Sequence, residues 1–145
     1  MKVKIKKLSP DAVIPYRGSS QAAGYDVYAV NTEDFVVKSG ETLMVKTGLA
    51  FVLPDGYFGG IFARSGLASK QGIRPANCVG VIDSDYRGEL MVPLHNDTDK
   101  DQTLKAHERI AQLVILPYLA VEFDEVEELP ETERGTAGFG STGKQ

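Results

Sequence analysis

Short runs of β-forming residues, each closed by a turn signal, recur from one end of this chain to the other, with little between them that reads as helix. Runs suited to strands fall near Val3–Leu8, Phe35–Val37, Glu41–Lys46, Leu49–Leu53, Tyr57–Ala63, Cys78–Ile82, Glu89–His95, Arg109–Pro117 and Ala120–Glu125. Ser39-Gly40, Pro54-Asp55-Gly56 and Arg87-Gly88 mark turns between them. Such spacing restricts the fold to an all-β barrel or sandwich. One short helix is expected over Ser65–Gly72, with a capping serine at its start and a stopping glycine at its end. The acidic stretch Glu122–Glu133 contains Pro130 and reads as a solvated linker out of the barrel. The expected organisation is a β domain over residues 1–121, with a C-terminal arm over 122–145 that belongs to the same domain.

A chain of 145 residues with 42% hydrophobic and 25% charged residues is large enough for one real core. Its net charge of -4 argues against general affinity for nucleic acid or an anionic membrane. No apolar run approaches a membrane span, and the alternating start Met1–Leu8 suits a strand rather than a targeting peptide, so a cytoplasmic location is expected. Cys78 is the only cysteine, which rules out an intrachain disulfide and a cysteine-based zinc site. With Val79 beside it, Cys78 is expected to be a small buried hydrophobe. Two histidines, His95 and His107, are too few for a metal cluster.

Five segments carry polar residues that a strand-and-turn pattern does not demand. In Ala22–Ala29, Asp26 sits among apolar neighbours, so its carboxylate is either hydrogen-bonded structurally or aimed at a cation. In Ala63–Ala68 a strand ends, Arg64 and Ser65 follow, and a helix begins; this is either an anion site or ordinary capping by Ser65. Asn77–Leu90 places two carboxylates and a tyrosine in a turn between apolar stretches, as in a β-hairpin. Hairpin backbone groups can read a base edge, Tyr86 can stack on a ring or sugar, and Asp83 can accept a proton from water. In Glu108–Ile115, Gln112 needs a buried partner or a wet site, and Arg109 equally suits a structural salt bridge. Finally, Arg134–Gly143 has four glycines, one aromatic ring, two threonines, a serine and an arginine. It reads as a disordered end or as a lid closing over a ligand with a ring and phosphates.

Together and in this order the segments resemble the homotrimeric deoxyuridine triphosphate nucleotidohydrolases, or dUTPases. The family's five motifs are matched at Ala23–Ala29, Arg64–Ala68, Asn77–Leu90, Glu108–Leu113 and Arg134–Gly143, and the resemblance spans nearly the whole chain. The hairpin Gly80–Tyr86 and the terminal Gly138–Gly143 are its most specific parts.

The resemblance implies a distorted jelly-roll or β-barrel of the β-clip type, with one short helix and a flexible C-terminal arm. It implies hydrolysis of dUTP to dUMP and pyrophosphate, which limits uracil in DNA and supplies a thymidylate precursor. Asp83 then matches the family's water-activating carboxylate. Asn77, Gly80, Val81 and Ile82 accept uracil, Tyr86 packs on the deoxyribose and rejects a 2′-hydroxyl, and Phe139 covers the base. Arg64, Ser65, Gly66 and Gln112 hold phosphates, joined by Arg134, Gly140, Ser141 and Thr142 of the lid. Asp26 contacts Mg²⁺ through water; the ion keeps several waters and takes other ligands from phosphate. The implied assembly is a homotrimer whose active sites are shared between subunits, with dUTP as ligand and neither nucleic acid nor membrane as partner.

Two positions depart from the family pattern: Ala137 and His107 stand where glycine is common. Two other readings compete. A dCTP deaminase shares the fold but needs a glutamate-centred proton shuttle and lacks the tyrosine hairpin. A catalytically idle nucleotide-binding trimer would be marked by loss of a reacting residue, yet Asp26, Arg64, Ser65, Asp83, Tyr86 and Phe139 are all present.

Overall fold

The computed structural model describes residues 2–138. Strands are β1 (Lys4–Lys7), β2 (Tyr25–Tyr28), β3 (Phe35–Val37), β4 (Thr42–Lys46), β5 (Leu49–Val52) and β6 (Tyr57–Phe62). After helix α1 (Ser65–Gln71) come β7 (Ile73–Pro75), β8 (Gly80–Ile82), β9 (Met91–Asn96), β10 (Gln102–Leu104) and β11 (Arg109–Pro117). All ladders are antiparallel. They form a four-stranded sheet β2-β11-β6-β8, a three-stranded sheet β4-β9-β7, and the pairs β1-β5 and β10-β3.

The architecture is a jelly roll of mostly β structure with one helix, as expected, but the ladders do not close into a barrel. The outer strands β2 and β8 of the large sheet have no further ladder partner among the described residues, so the hydrogen-bonded cylinder stays open. Side-chain packing closes the core instead. Val27, Val37, Leu49, Ile73, Leu90, Val92, Leu94, Leu104 and Ile110 are fully buried in one cluster. In β9 the period-two alternation is plain: Val92, Leu94 and Asn96 point inward. Buried Asn96 satisfies its amide by donating to the Val37 carbonyl at 2.9 Å and the Lys100 carbonyl at 2.8 Å.

Three strands escape the sequence reading. β7 and β10 have three residues each, too few to show a period. β2 carries two tyrosines and an aspartate around Val27, so its alternation is hidden. Conversely, the strand expected at Ala120–Glu125 is not formed. That stretch has no ladder partner among the described residues, and a lone strand leaves its backbone groups unpaired. Leu119 and Phe123 are 88% and 97% exposed there. No helix among the described residues is long and apolar enough to cross a membrane.

Candidate functional site

The first polar cluster gathers where β2, β6 and β11 run side by side. Gln112 of β11 pairs with Asp26 on one flank and Phe62 on the other, so three separate sequence segments meet at one level of the sheet. Arg64 follows the end of β6 and donates from Nε to Asp26 Oδ1 at 3.0 Å. Its Nη1 donates to the Arg109 carbonyl at 3.2 Å. Arg109 Nη1 donates to the other Asp26 oxygen at 3.3 Å. Asp26 is thus held between two guanidiniums, with its side chain 17% exposed. Gln112 Nε2 donates to the Ala63 carbonyl at 2.9 Å, which meets its need for a partner. Its amide oxygen lies so close to Gly24 that a methyl group there would overlap it.

Tyr28 shares this face. Burial pushes its phenol above its ordinary value of 10.0, and the neighbouring Tyr16 and Asp26 add to the effect. Sequence alone gives Tyr28 no role, and only its two-residue spacing from Asp26 on one strand could place it there.

Helix α1 corrects one expectation. Ser65 is its first helical residue rather than its cap; Arg64 holds the cap position and makes no side-chain cap bond, its guanidinium being turned to Asp26. The Ser65 hydroxyl and the backbone of Gly66 stand exposed beside Arg64 at the helix start. Among the described residues the Ser65 hydroxyl has no hydrogen-bond partner.

The second cluster lies under the turn that follows β8. A cavity of about 300 Å³ is lined by Asn77, Val81, Ile82, Asp83, Tyr86 and Glu89, with Met44, Met91 and Pro93 forming its far wall. Sequence reasoning misses the far wall: these outward residues of β4 and β9 look like ordinary surface positions until the second sheet brings them opposite β8. Gly80 is buried against Ile61 and the Asn77 amide. The expected β-hairpin is not formed: β8 pairs with β6 and β9 with β4 and β7, so Asp83–Leu90 is a loop crossing between two sheets. Asp83 is exposed, and its carboxylate has no hydrogen-bond or ion-pair partner among the described residues. Asp85 stands in the turn as expected; Arg87 follows the turn and donates to the carbonyls of Ser84 and Tyr86. Cys78 is another correction. It is exposed, with a φ of 61°, because it occupies the tight turn after Pro75 rather than the core.

The two clusters do not meet in one chain. Ile82 pairs with Gly59, while Arg64 lies beyond the opposite end of β6, about 17 Å further along the strand. Arg134 donates to the Ala137 carbonyl at 2.9 Å in an exposed turn and touches neither cluster. Phe139, Gly140, Ser141 and Thr142 lie outside the described residues.

The dUTPase family pattern matches residues 11–143. The deoxyuridine 5′-triphosphate nucleotidohydrolase of Nautilia profundicola is 51% identical over 144 residues, covering 99% of this chain and 100% of the relative. That of a Hydrogenobaculum species is 47% identical over 143 residues, covering 99% of both. Among solved structures, a dUTPase variant of Staphylococcus bacteriophage 80alpha with dUpNHpp superposes at a TM-score of 0.90, with 31% identity and 99% of each chain covered. A variant dUTPase from phage phi11 of S. aureus, described with a structural Mg(II) ion, gives 0.81 at 26% identity over 90% of this chain and 100% of that one. With a match over most of its length and full-length relatives at this identity, the chain belongs to the dUTPase family, the deoxyuridine 5′-triphosphate nucleotidohydrolases.

Proposed function

We propose that this chain hydrolyses dUTP to dUMP and pyrophosphate, with Asp83 orienting the attacking water. The observation that carries this reading is the cavity beside β8: a carboxylate without a partner among the described residues, an amide and a tyrosine line one hollow beside strand backbone. Backbone groups of Gly80, Val81 and Ile82, with Asn77, pair with the polar edge of uracil. A narrow slot beside β8 excludes the thymine methyl, and a fixed donor pattern leaves a cytosine amino group mispaired. Tyr86 packs on the deoxyribose and rejects a 2′-hydroxyl.

The arginine cluster supplies the phosphate ground. Arg64 presents a guanidinium oriented by Asp26, next to the exposed Ser65 hydroxyl and the Gly66 backbone. Such chemistry depends on positioning and charge neutralisation, with little covalent work by the protein. The donor set fits Mg²⁺ carried by the triphosphate: no group of three or more His, Cys, Asp or Glu side chains among the described residues makes a protein cage. Asp26, with Gln112 nearby, would hold such an ion through water, since both carboxylate oxygens already take arginine donors. When bound, the ion neutralises phosphate charge in the transition state.

The separation of the two clusters supports a site shared between copies, with Asp83 of one subunit facing Arg64 of another in a homotrimer. The exposed apolar residues Leu119, Val121 and Phe123 where the arm begins support the same assembly, since they need cover that no described residue of their own chain gives. The arm then delivers Arg134 and Phe139, Gly140, Ser141 and Thr142 to a neighbour's nucleotide as a lid.

The test is pyrophosphate release with Mg²⁺ from dUTP, dCTP, dTTP and UTP in parallel, with ammonia measured alongside. Pyrophosphate from dUTP alone is expected. Ammonia from dCTP would transfer the chain to deaminase chemistry, and no product from any of the four would leave nucleotide binding without turnover.

A further inference from the structure

We infer that Glu89 is a positioning residue that locks Tyr86 to the body of the fold and thereby sets discrimination against the ribose 2′-hydroxyl; the specificity part rests on the dUTP reading above. Glu89 acts through both its side chain and its backbone. Its carboxylate Oε1 accepts from the Gly48 N–H at 2.8 Å, across 41 positions of sequence, and its carbonyl accepts from the Tyr86 hydroxyl at 3.0 Å. One residue therefore joins the ring to the turn between β4 and β5.

That turn is itself closely packed. Gly48 has a φ of 68°, and a side chain there would press on Ala12, Val30 and Ser9, so its amide is fixed in place by backbone that only glycine adopts freely. The Gly48 carbonyl accepts from Leu8 N–H at 2.7 Å, and the buried Thr47 hydroxyl donates to the Leu90 carbonyl at 2.7 Å. Leu90 N–H donates to the Leu49 carbonyl at 2.7 Å. The foot of the β8–β9 loop is thus tied through Leu90 N–H, the Leu90 carbonyl and the Glu89 carboxylate, the last being the one tie made by a side chain of the loop.

Above the foot, Tyr86 is folded flat over Gly88: a methyl group at Gly88 would overlap its hydroxyl and ring. With Gly88 beneath it and the Glu89 carbonyl at its tip, the ring has one seat, even though its outer face is exposed. A Tyr86 free to swing by an ångström would admit a hydroxyl on the sugar, because the difference between substrates is one oxygen atom. The Gly48 amide meets a carboxylate rather than a carbonyl, and a charged acceptor makes the stronger hold.

Glu89→Gln keeps an acceptor, Glu89→Leu removes it, and Gly88→Ala displaces the ring while leaving the Glu89–Gly48 bond intact. Two readouts need no turnover: hydrogen exchange at the Gly48 amide, and nitration of Tyr86 by tetranitromethane mapped by peptide mass. Glu89→Leu is expected to speed both, Glu89→Gln to restore most of the protection, and Gly88→Ala to speed nitration alone. In kinetics, Glu89→Leu and Gly88→Ala should lower the preference for dUTP over UTP about tenfold, more through KM than kcat. Wild-type exchange and nitration rates in Glu89→Leu would overturn the clamp. Faster rates with an unchanged dUTP preference would overturn its role in specificity. Were the wild-type protein inactive on dUTP while Glu89→Leu still loosened Gly48 and Tyr86, the clamp would stand and the dUTP reading would fall. If Glu89→Leu does not fold, Glu89→Gln decides the clamp: its weaker neutral acceptor should raise both rates slightly, and wild-type rates in it would overturn the clamp, while Gly88→Ala decides only the part of the tyrosine in specificity.

Discussion

Arg64 Nε lies 3.0 Å from Asp26 Oδ1, and Arg109 Nη1 approaches the other oxygen of the same carboxylate at 3.3 Å, so one acid holds two arginines side by side. Two like charges at that spacing repel unless something between them is negative. Asp26 therefore has a double effect: it makes the cluster stable, and it aims Arg64 past the end of β6 where Ser65 and Gly66 are exposed.

Asp26→Asn tests this arrangement. The neutral amide can accept from one guanidinium but cannot offset both. Stability should fall by about 1–3 kcal/mol, the cost of losing charge-assisted bonds at a half-buried site. Turnover should fall further, by roughly a hundredfold, as Arg64 loses its aim. Denaturant unfolding and steady-state kinetics on the same preparation separate the two effects. Loss of activity with full stability would place Asp26 at the ligand alone.

The distance between Asp83 and Arg64 along the sheet yields a second prediction. Arg64→Ala and Asp83→Asn should each be nearly inactive as pure proteins. Co-refolded in equal amounts, they should regain about a quarter of wild-type turnover, the share of sites with an intact β8–β9 loop from one copy and an intact arginine from another. Turnover no greater than the sum of the pure variants would mean that each site is built within one chain.

Much of this is legible in the sequence, and for identifiable reasons. Strands such as Arg109–Pro117 and Met91–Asn96 announce themselves by long apolar patterns, and the turn after Ile82 by its chemistry between two apolar runs, although those runs enter different sheets and form no hairpin. Asp26 and Gln112 stand out as polar residues in apolar surroundings, and the sheet pairs them directly. What is not legible depends on register. Nothing local in Met44, Met91 or Pro93 says that they wall the cavity, and Glu89 reads as one more charge after a turn until Gly48 is found against it. Cys78 misleads because its apolar neighbour suggests a core position, whereas Pro75 upstream has already committed the chain to a turn. Ala120–Glu125 has a strand's composition without a strand's partner, a distinction that one chain's sequence does not contain.

His107 offers a stability prediction. It takes a φ of 52° in the turn before β11, and its Nδ1 is buried without a hydrogen-bond partner among the described residues. A left-handed backbone costs a side-chain-bearing residue about 1–2 kcal/mol. His107→Gly removes that strain and the unpaired nitrogen, while glycine's looser unfolded chain returns about 0.4–1 kcal/mol. A net gain of about 0.5 kcal/mol is expected, seen as a higher urea midpoint at unchanged slope and fixed protomer concentration. A lower midpoint would mean that packing of the imidazole outweighs the strain.

The Asp34–Lys105 pair gives the pH dependence its sign. Lys105 Nζ donates to Asp34 Oδ2 at 2.7 Å and the Ala106 N–H donates to Oδ1 at 3.0 Å, bracing the turn that precedes Arg109. The bond from Lys105, and after it the Ala106 amide, hold the Asp34 carboxyl below its ordinary value of 3.8. A depressed carboxyl binds fewer protons folded than unfolded, so its contribution is present above 3.8 and is lost as pH falls below that value. Lys105 is raised above 10.5 by the same bond, so its contribution is present below that value and is lost as pH rises above it. Between these limits the pair's contribution should be flat. Asp34→Asn should therefore lower Tm by a constant amount from about pH 5 to 9, and the gap from wild type should close below about pH 3.8. Because both groups are exposed and screened, the gap should also shrink in about 1 M salt, leaving the part due to the Ala106 amide. A gap that persisted unchanged in strong acid would show that the Asp34→Asn substitution perturbs the turn by its shape rather than by its lost charge.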